Sequence, residues 1–196
     1  MPNRQNVMTG TPRGGTAGYL FRAPIGTALP TDATTTLASA YKDMGYVSED
    51  GVERAINKAY NTIRDMGGTE VLKVRNEHGV TVTLALLETL NGDTAKAVYG
   101  DDAVTVTAAT SSHGNQVHIA YKGDEPDDAI WVLDLALGGK LKRHIWPSTQ
   151  LTSEDSTTTL NGEDAASFPV TLTLYADTSG VYFHEYSDDG QQTTTP

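Results

Sequence analysis

The 196-residue sequence contains no cysteine. This absence excludes disulfide bonds, cysteine nucleophiles, and sites in which thiolates hold zinc or an iron–sulfur cluster. The apolar runs are far shorter than the ~20 residues that a membrane-spanning helix needs. The first 18 residues also lack the apolar segment of a secretory signal. We therefore expect a protein without membrane segments that is made in the cytoplasm.

Positive charge is scarce, because 14 basic residues stand against 25 acidic ones and the net charge is −11. No lysine or arginine follows Arg143, whereas eight acidic residues do. A protein that binds duplex DNA or RNA needs a basic surface that displaces counterions from phosphate. The sequence therefore excludes sequence-specific nucleic-acid binding as the function.

Threonine is abundant, with 28 residues, and the chain has 19 glycines. Threonine is β-branched and suits a half-buried pleated surface. Apolar and polar residues alternate strictly in residues 81–86, 104–107 and 170–174, with the period of two that is typical of strands. The sequence therefore predicts a mainly β, antiparallel protein.

Residues 130–146 show the clearest hairpin. Gly138 and Gly139 fit a two-residue turn, and the resulting register places Asp134 opposite Arg143 and Trp131 opposite Trp146. Both faces of this hairpin carry apolar residues, whereas a half-exposed sheet has one polar face. Either a neighbouring subunit or the chain's own loops can account for the second apolar face.

Helical patterns occur in two places. Asn91 can cap a short helix over residues 93–99 that ends at Gly100. Residues 52–66 carry apolar side chains at the helical spacing of three and four, so their periodicity alone favours an amphipathic helix.

No motif in the sequence points to catalysis or to a cofactor. Nucleophile elbows, phosphate loops, dinucleotide-binding loops, zinc-protease helices and calcium loops are all missing. His113 and His118 are five residues apart and would lie on opposite faces of a strand. The acidic residues 124–128 surround Pro126 and are more typical of a solvated loop than of a cation site. We therefore predict no catalytic residues, no cofactor and no metal.

Six blocks stand in a fixed order along the chain: residues 43–51 (DMGYVSEDG), 63–68 (IRDMGG), 87–91 (LETLN), 95–102 (AKAVYGDD), 138–143 (GGKLKR) and 168–174 (FPVTLTL). Together they resemble the major tail (tail tube) proteins of long-tailed, siphovirus-type bacteriophages, nearest to the actinobacterial-phage type. One departure is Met66, where that family usually has tryptophan before the two glycines.

The resemblance implies an antiparallel β-sandwich or open barrel with one short flanking α-helix. It also implies that copies of the chain form hexameric rings that stack into a tube. The implied partners are other copies of the chain, a tape-measure protein and tail-end proteins. DNA would pass through the lumen without specific binding. The implied location is the virion tail, with assembly in the host cytoplasm.

The resemblance also suggests how the chain is divided. We expect an N-terminal arm (residues 1–18), one β domain (residues 19–186) and a flexible tail (residues 187–196). Within the domain, residues 48–68 would form a long loop or arm, so residues 52–66 would be extended despite their helical period.

The alternative to a tail tube function is another virion structural protein, or an adhesive or carbohydrate-binding β-sandwich.

The predicted self-assembly interface combines this arm with the 130–146 hairpin and the N-terminal arm. Asp134 and Arg143 are the first pair to test in it. The full set of candidate residues is Ser48, Glu49, Asp50, Tyr60, Ile63, Met66, Trp131, Asp134, Arg143 and Trp146.

Overall fold

The computed structural model describes residues 2–13, 18–152, 158 and 160–191, of which 44% lie in strands. All strand pairs are antiparallel. Apart from a 3₁₀ turn at Arg4–Asn6, the helix α1 (Gly92–Tyr99) is the helical element of the described residues. The prediction of a mainly β, antiparallel fold with one short helix is therefore confirmed.

Eight strands form one large sheet, and two form a small one. The order in the large sheet is β2-β1-β7-β8-β9-β4-β3, with β10 paired to the first part of β8, while β5 pairs with β6. The strands are β1 (Leu20–Pro24), β2 (Lys42–Asp43), β3 (Glu53–Arg64), β4 (Glu70–Leu86), β5 (Val104–Thr107), β6 (Gln116–Ile119), β7 (Ala129–Leu137), β8 (Lys140–Leu151), β9 (Phe168–Leu174) and β10 (His184–Asp188).

The helix α1 forms where the sequence predicts it. The side chain of Asn91 accepts hydrogen bonds from the backbone N–H groups of Asp93 and Thr94 at 3.0 and 3.5 Å. Gly100 ends the helix with φ +87°, a conformation that L side chains rarely adopt. Ala95 and Ala97 face the main core, so the helix covers one side of it.

The β7–β8 hairpin has the predicted register, with Asp134 opposite Arg143 and Trp131 opposite Trp146. Gly138 turns the chain with φ +61°. Alternate residues enter two separate cores: Trp131 and Trp146 pack in the main one, whereas Val132 and its neighbours pack in a second. The hairpin is thus buried on both faces by its own chain.

The second core lies beneath the loop that joins β1 to β2. Leu29, Leu37 and Tyr41 of this loop pack on Val132 and Ile145. Of the two explanations for the second apolar face, the chain's own loop is therefore the one that the structure supports.

A buried ion pair holds this loop in place. Arg143 is 2% exposed and donates from Nε and Nη2 to the two carboxylate oxygens of Asp134, at 2.6 and 2.7 Å. Its Nη1 donates to the backbone oxygens of Asp32 and Thr35, at 3.0 and 2.8 Å. One guanidinium thus ties both strands of the hairpin to the covering loop.

Most of residues 52–66 is extended, as predicted from the resemblance, and the helix favoured by the periodicity is wrong. Residues 53–64 form β3, which pairs with β4 along its whole length. A helical stripe stabilises a helix when the core buries it, but most of β3 is exposed.

The far part of this hairpin leaves the sheet. Strand β4 pairs with β9 only from Val80 onward, and Val80 lies opposite Ile56. Residues 57–79 therefore pair only with one another. We call residues 57–79 the arm.

We expect Arg143→Ala to destabilise the folded chain by about 3–5 kcal/mol, because it removes both hydrogen bonds to the buried Asp134 carboxylate and leaves it with the longer Arg13 contact at 3.7 Å. Urea denaturation would measure this loss. Arg75→Ala is the matched control, because Arg75 is exposed on the arm and such a change costs about 0.5 kcal/mol or less. Equal stabilities of the two variants would contradict the structural role of the ion pair.

A protruding β arm and an acidic-rimmed groove

Each face of the arm has its own chemistry. Directly paired residues of an antiparallel hairpin point to the same side, and successive residues alternate. The register places Tyr60 opposite Arg75, and Ile63 opposite Leu72. One face, which we call the basic face, therefore carries Lys58, Tyr60, Lys73 and Arg75. The other, the apolar face, carries Ile63, Leu72 and Val74.

The apex of the arm is a tight turn that presents a methionine. The Gly68 N–H donates to the Asp65 oxygen at 3.0 Å, and the Thr69 N–H donates to the Asp65 carboxylate at 2.7 Å. Gly68 has φ +84°. Met66 is fully exposed at this apex. The turn thus holds an apolar side chain in solvent at the end of a rigid hairpin.

Exposed apolar surface is concentrated on the arm. Of the sixteen large apolar side chains that are exposed in the described residues, six lie between residues 57 and 79. Surface of this kind in a contiguous patch marks an interaction site. The six are Tyr60, Ile63, Met66, Val71, Leu72 and Val74.

The root of the arm is anchored by ion pairs and aromatic contacts. Arg54 pairs with Glu185, and its guanidinium lies 3.9 Å from the centre of the Phe183 ring. On the other strand, His78 packs edge-on against Tyr182 with ring centres 4.8 Å apart. The segment that leads into β10 therefore fixes the direction in which the arm leaves the sheet.

Glu185 collects three partners at this root. Besides Arg54, its carboxylate contacts Lys142 Nζ at 3.1 Å and His144 Nδ1 at 3.4 Å. Burial raises the pKa of Glu185, but hydrogen bonds from Arg54 and Lys142 outweigh it, so the net pKa is lowered. Burial lowers the pKa of His144, against the opposing effect of Glu185. At neutral pH the root therefore holds a carboxylate beside a neutral imidazole.

A groove lies next to the point where β3 begins, at the foot of the hairpin that carries the arm. It has a volume of about 520 Å³ and is lined by residues of the N-terminal segment, β7 and the turn before β3. Its walls are mostly apolar, Glu49 and Asp50 are exposed at its rim, and none of its lining residues is basic. The lining residues are Gly10, Pro12, Tyr19, Val47, Ser48, Glu49, Asp50, Gly51, Val52, Leu133 and Leu135. We call this the 48–52 groove.

Ser48 has an unpaired hydroxyl in this groove. Its backbone N–H donates to the Ala85 oxygen at 2.9 Å. Its Oγ is buried and has no hydrogen-bond partner among the described residues. An unpaired buried hydroxyl costs about 1–3 kcal/mol, so Ser48 carries a local energetic cost beside the groove.

The predicted interface residues fall into two groups. Tyr60, Ile63 and Met66 are exposed on the arm, and Ser48, Glu49 and Asp50 line the groove. The remaining four are enclosed within the chain, each 5% exposed or less, so their side chains have no surface for a neighbour in this structure. These four are Trp131, Asp134, Arg143 and Trp146.

Sequence reasoning missed the second strand of the arm and the root. The sequence analysis did not predict that residues 71–75, which lie in β4, are part of a surface. The alternation of apolar and basic residues at 71–75 was the available signal. The contacts of Glu185 with the arm root had no local signal, because 131 residues separate it from Arg54.

No group of acidic and histidine side chains that could hold a metal ion is found in the described residues. Within the same residues, no helix is long and apolar enough to cross a membrane. Parts of two predicted segments lie outside the described residues. They are residues 14–17 of the N-terminal arm and residues 192–196 of the tail.

The described residues thus form an antiparallel β body with a protruding arm. The sequence matches the family model for phage tail tube proteins over residues 7–195, so the chain belongs to the phage tail tube protein family. This family is structural and not enzymatic, and it places the chain in the virion tail. Membership also implies association with other copies and with tail components.

No curated protein matches the chain significantly. Among solved structures, the chain is similar to the anti-feeding prophage cap, described as the AFP tube terminating cap, with 12% identity and a TM-score of 0.41. That match covers 93% of this chain and 94% of the other.

We predict that the stability of the chain falls in two steps as the pH is lowered. The pKa of His144 lies below its ordinary 6.5 in the folded chain, so the unfolded chain takes up that proton first and stability decreases below about pH 6.5. The pKa of Glu185 in the folded chain is lowered from 4.5. Its contribution to the free energy of unfolding is therefore fully present above pH 4.5 and is lost as the pH falls through the pKa of the folded chain.

Urea denaturation over a pH series would test both steps. We expect His144→Gln to flatten the upper step and Glu185→Gln to reduce the lower one, to which the hydrogen-bonded carboxylates of Asp32 and Asp177 also contribute. His118→Gln is the control, because His118 is exposed on β6. An unchanged upper step in His144→Gln would contradict the assignment.

Proposed function

We propose that copies of this chain form hexameric rings that stack into the tail tube, and that DNA moves through the lumen of that tube during ejection. The observation that carries the proposal is the arm. Six of its large apolar side chains are exposed in one copy, and a surface of this kind suits protein–protein contact.

Membership of the tail tube family supports the same proposal. The tape-measure protein would lie in the lumen, and tail-end proteins would close the tube. Assembly would take place in the host cytoplasm before the tail joins the virion.

The arm and the 48–52 groove are the proposed interface. Of the residues predicted from sequence, Tyr60, Ile63, Met66, Ser48, Glu49 and Asp50 remain in this proposal. The buried residues Trp131, Asp134, Arg143 and Trp146 support it indirectly, because they hold together the hairpin that forms one groove wall.

Removal of the arm tests the proposal. Replacing residues 59–77 by Asn-Gly would close the hairpin with a two-residue turn at the Lys58–His78 pair. Because the arm does not pair with the rest of the sheet, we expect the shortened chain to fold with a thermal midpoint close to that of the wild type. Electron microscopy should show tubes or rings for the wild type and none for the shortened chain.

A double variant, Tyr121→Ser with Leu160→Ser, is the control for loss of exposed apolar surface elsewhere. It should assemble as the wild type does. Tubes formed by the shortened chain would contradict the role of the arm, and a wild-type chain that stays monomeric would contradict the proposed function.

We also predict that acidic and hydroxyl side chains dominate the lumen wall. Each basic residue facing the DNA would add a phosphate contact that slows its passage, and only charges within about 8 Å act strongly at physiological salt. Lys142 and Arg143 do not share an open face, because Arg143 is buried and Lys142 pairs with Glu185. A tube reconstruction with a channel lined mainly by lysine and arginine would contradict the prediction.

A further inference from the structure

We propose that the apex of the arm of one copy inserts into the 48–52 groove of a second copy, with the basic face of the arm beside Glu49 and Asp50. This inference rests on the proposed function and names the two surfaces that meet.

The arm cannot fill the groove of its own copy. Val52 lines the groove and Glu53 begins β3, so the groove lies at the root of the arm. From that root, β3 runs to Arg64 as an extended strand, which at about 3.3 Å per residue places the apex some 35 Å away. The ion pair of Arg54 with Glu185 fixes the direction of departure. An occupant from the arm must therefore come from a second copy.

The apolar surfaces of apex and groove are complementary. Met66 is fully exposed, and Ile63 and Leu72 beside it are about half exposed. The groove offers Val47, Val52 and other apolar walls in a volume of about 520 Å³. Methionine is unbranched and adapts to irregular apolar space, so Met66 is well suited to fill it. Insertion would remove both apolar surfaces from water at once.

The charges are complementary as well. Lys58 and Arg75 on the basic face make no ion pair with any described residue, and Lys73 shares Glu70 with Arg64. The groove rim carries Glu49 and Asp50 with no basic residue in the lining. Between residues 57 and 79 the charge is +1, on a chain whose net charge is −11. An acidic surface of a second copy is therefore the partner that the arm favours electrostatically.

An arm-to-groove contact joins two different surfaces of the same chain. Such a heterologous contact leaves the arm of the second copy free to continue, so it generates closed rings or open stacks and not an isolated dimer. The proposed pair of surfaces is therefore consistent with a tube.

The absence of cysteine makes a cross-linking test direct. Met66→Cys protein is mixed with Glu49→Cys protein, allowed to assemble and oxidised, and the products are separated on a non-reducing gel and identified by mass spectrometry. We expect the mixed 66–49 disulfide to be the main product. Met66→Cys mixed with Thr110→Cys is the matched control, because Thr110 is exposed in the β5–β6 connection, away from the groove lining.

Charge reversal gives an independent readout. Lys73→Glu with Arg75→Glu should abolish tubes, and so should Glu49→Lys with Asp50→Lys, because each places like charges together. Combining all four substitutions should restore tubes. Far-ultraviolet circular dichroism and thermal unfolding would show that each variant is folded.

The outcomes separate this inference from the proposed function. Wild-type tubes together with a 66–49 cross-link no stronger than the 66–110 control would overturn the inference and leave the proposed function standing. So would charge-reversed groove variants that still assemble, or a fourfold variant that stays unassembled. A wild-type chain that remains monomeric would overturn both.

Discussion

The fold depends on the buried guanidinium of Arg143. A buried cation without partners would cost several kcal/mol, so all of its donors must find acceptors. Here the Asp134 carboxylate accepts hydrogen bonds from Nε and Nη2, and the backbone oxygens of Asp32 and Thr35 accept from Nη1. The two strands of the central hairpin and the loop that covers them must therefore form together. The Asp32 carboxylate strengthens the loop, because hydrogen bonds from Thr35 and Thr34 lower its pKa well below the ordinary range.

Because that loop closes one face of the β7–β8 hairpin and the main core closes the other, the centre of the sheet has no side chains left for association. Contacts between copies must then come from what protrudes or what is left open. The arm and the 48–52 groove are the two surfaces that we propose for these contacts. The anchoring of the arm by Arg54, Phe183 and Glu185 matters for this reason: a hairpin with a fixed direction loses less conformational entropy on binding than a flexible loop does.

Local patterns predicted the local structure well. The Gly138–Gly139 turn fixed the register of its hairpin, and Asn91 and Gly100 marked the ends of α1. The apolar spacing in residues 52–66 predicted a helix that does not form. Such spacing stabilises a helix only when a core buries the apolar stripe, and these residues lie largely outside the core. Burial of Asp134 and Arg143 could not be read from sequence either, since the covering loop lies more than 100 residues away along the chain. The groove joins three distant segments and had no sequence signal.

The edge of the arm favours docking by its apex and faces over docking by strand addition. Strand β3 is the last in the sheet order, so its outer backbone groups are open to pairing with another chain. Two register irregularities, between Ala59 and Tyr60 and between Ile63 and Arg64, interrupt the regular ladder. Lys58 and Arg64 add charge along the same strand, and both bulges and charges discourage edge-to-edge pairing. At the opposite edge, β2 has only two residues and offers little template. These features disfavour backbone pairing at this edge of the sheet, which supports the proposal that copies meet through the side chains of the apex and the groove.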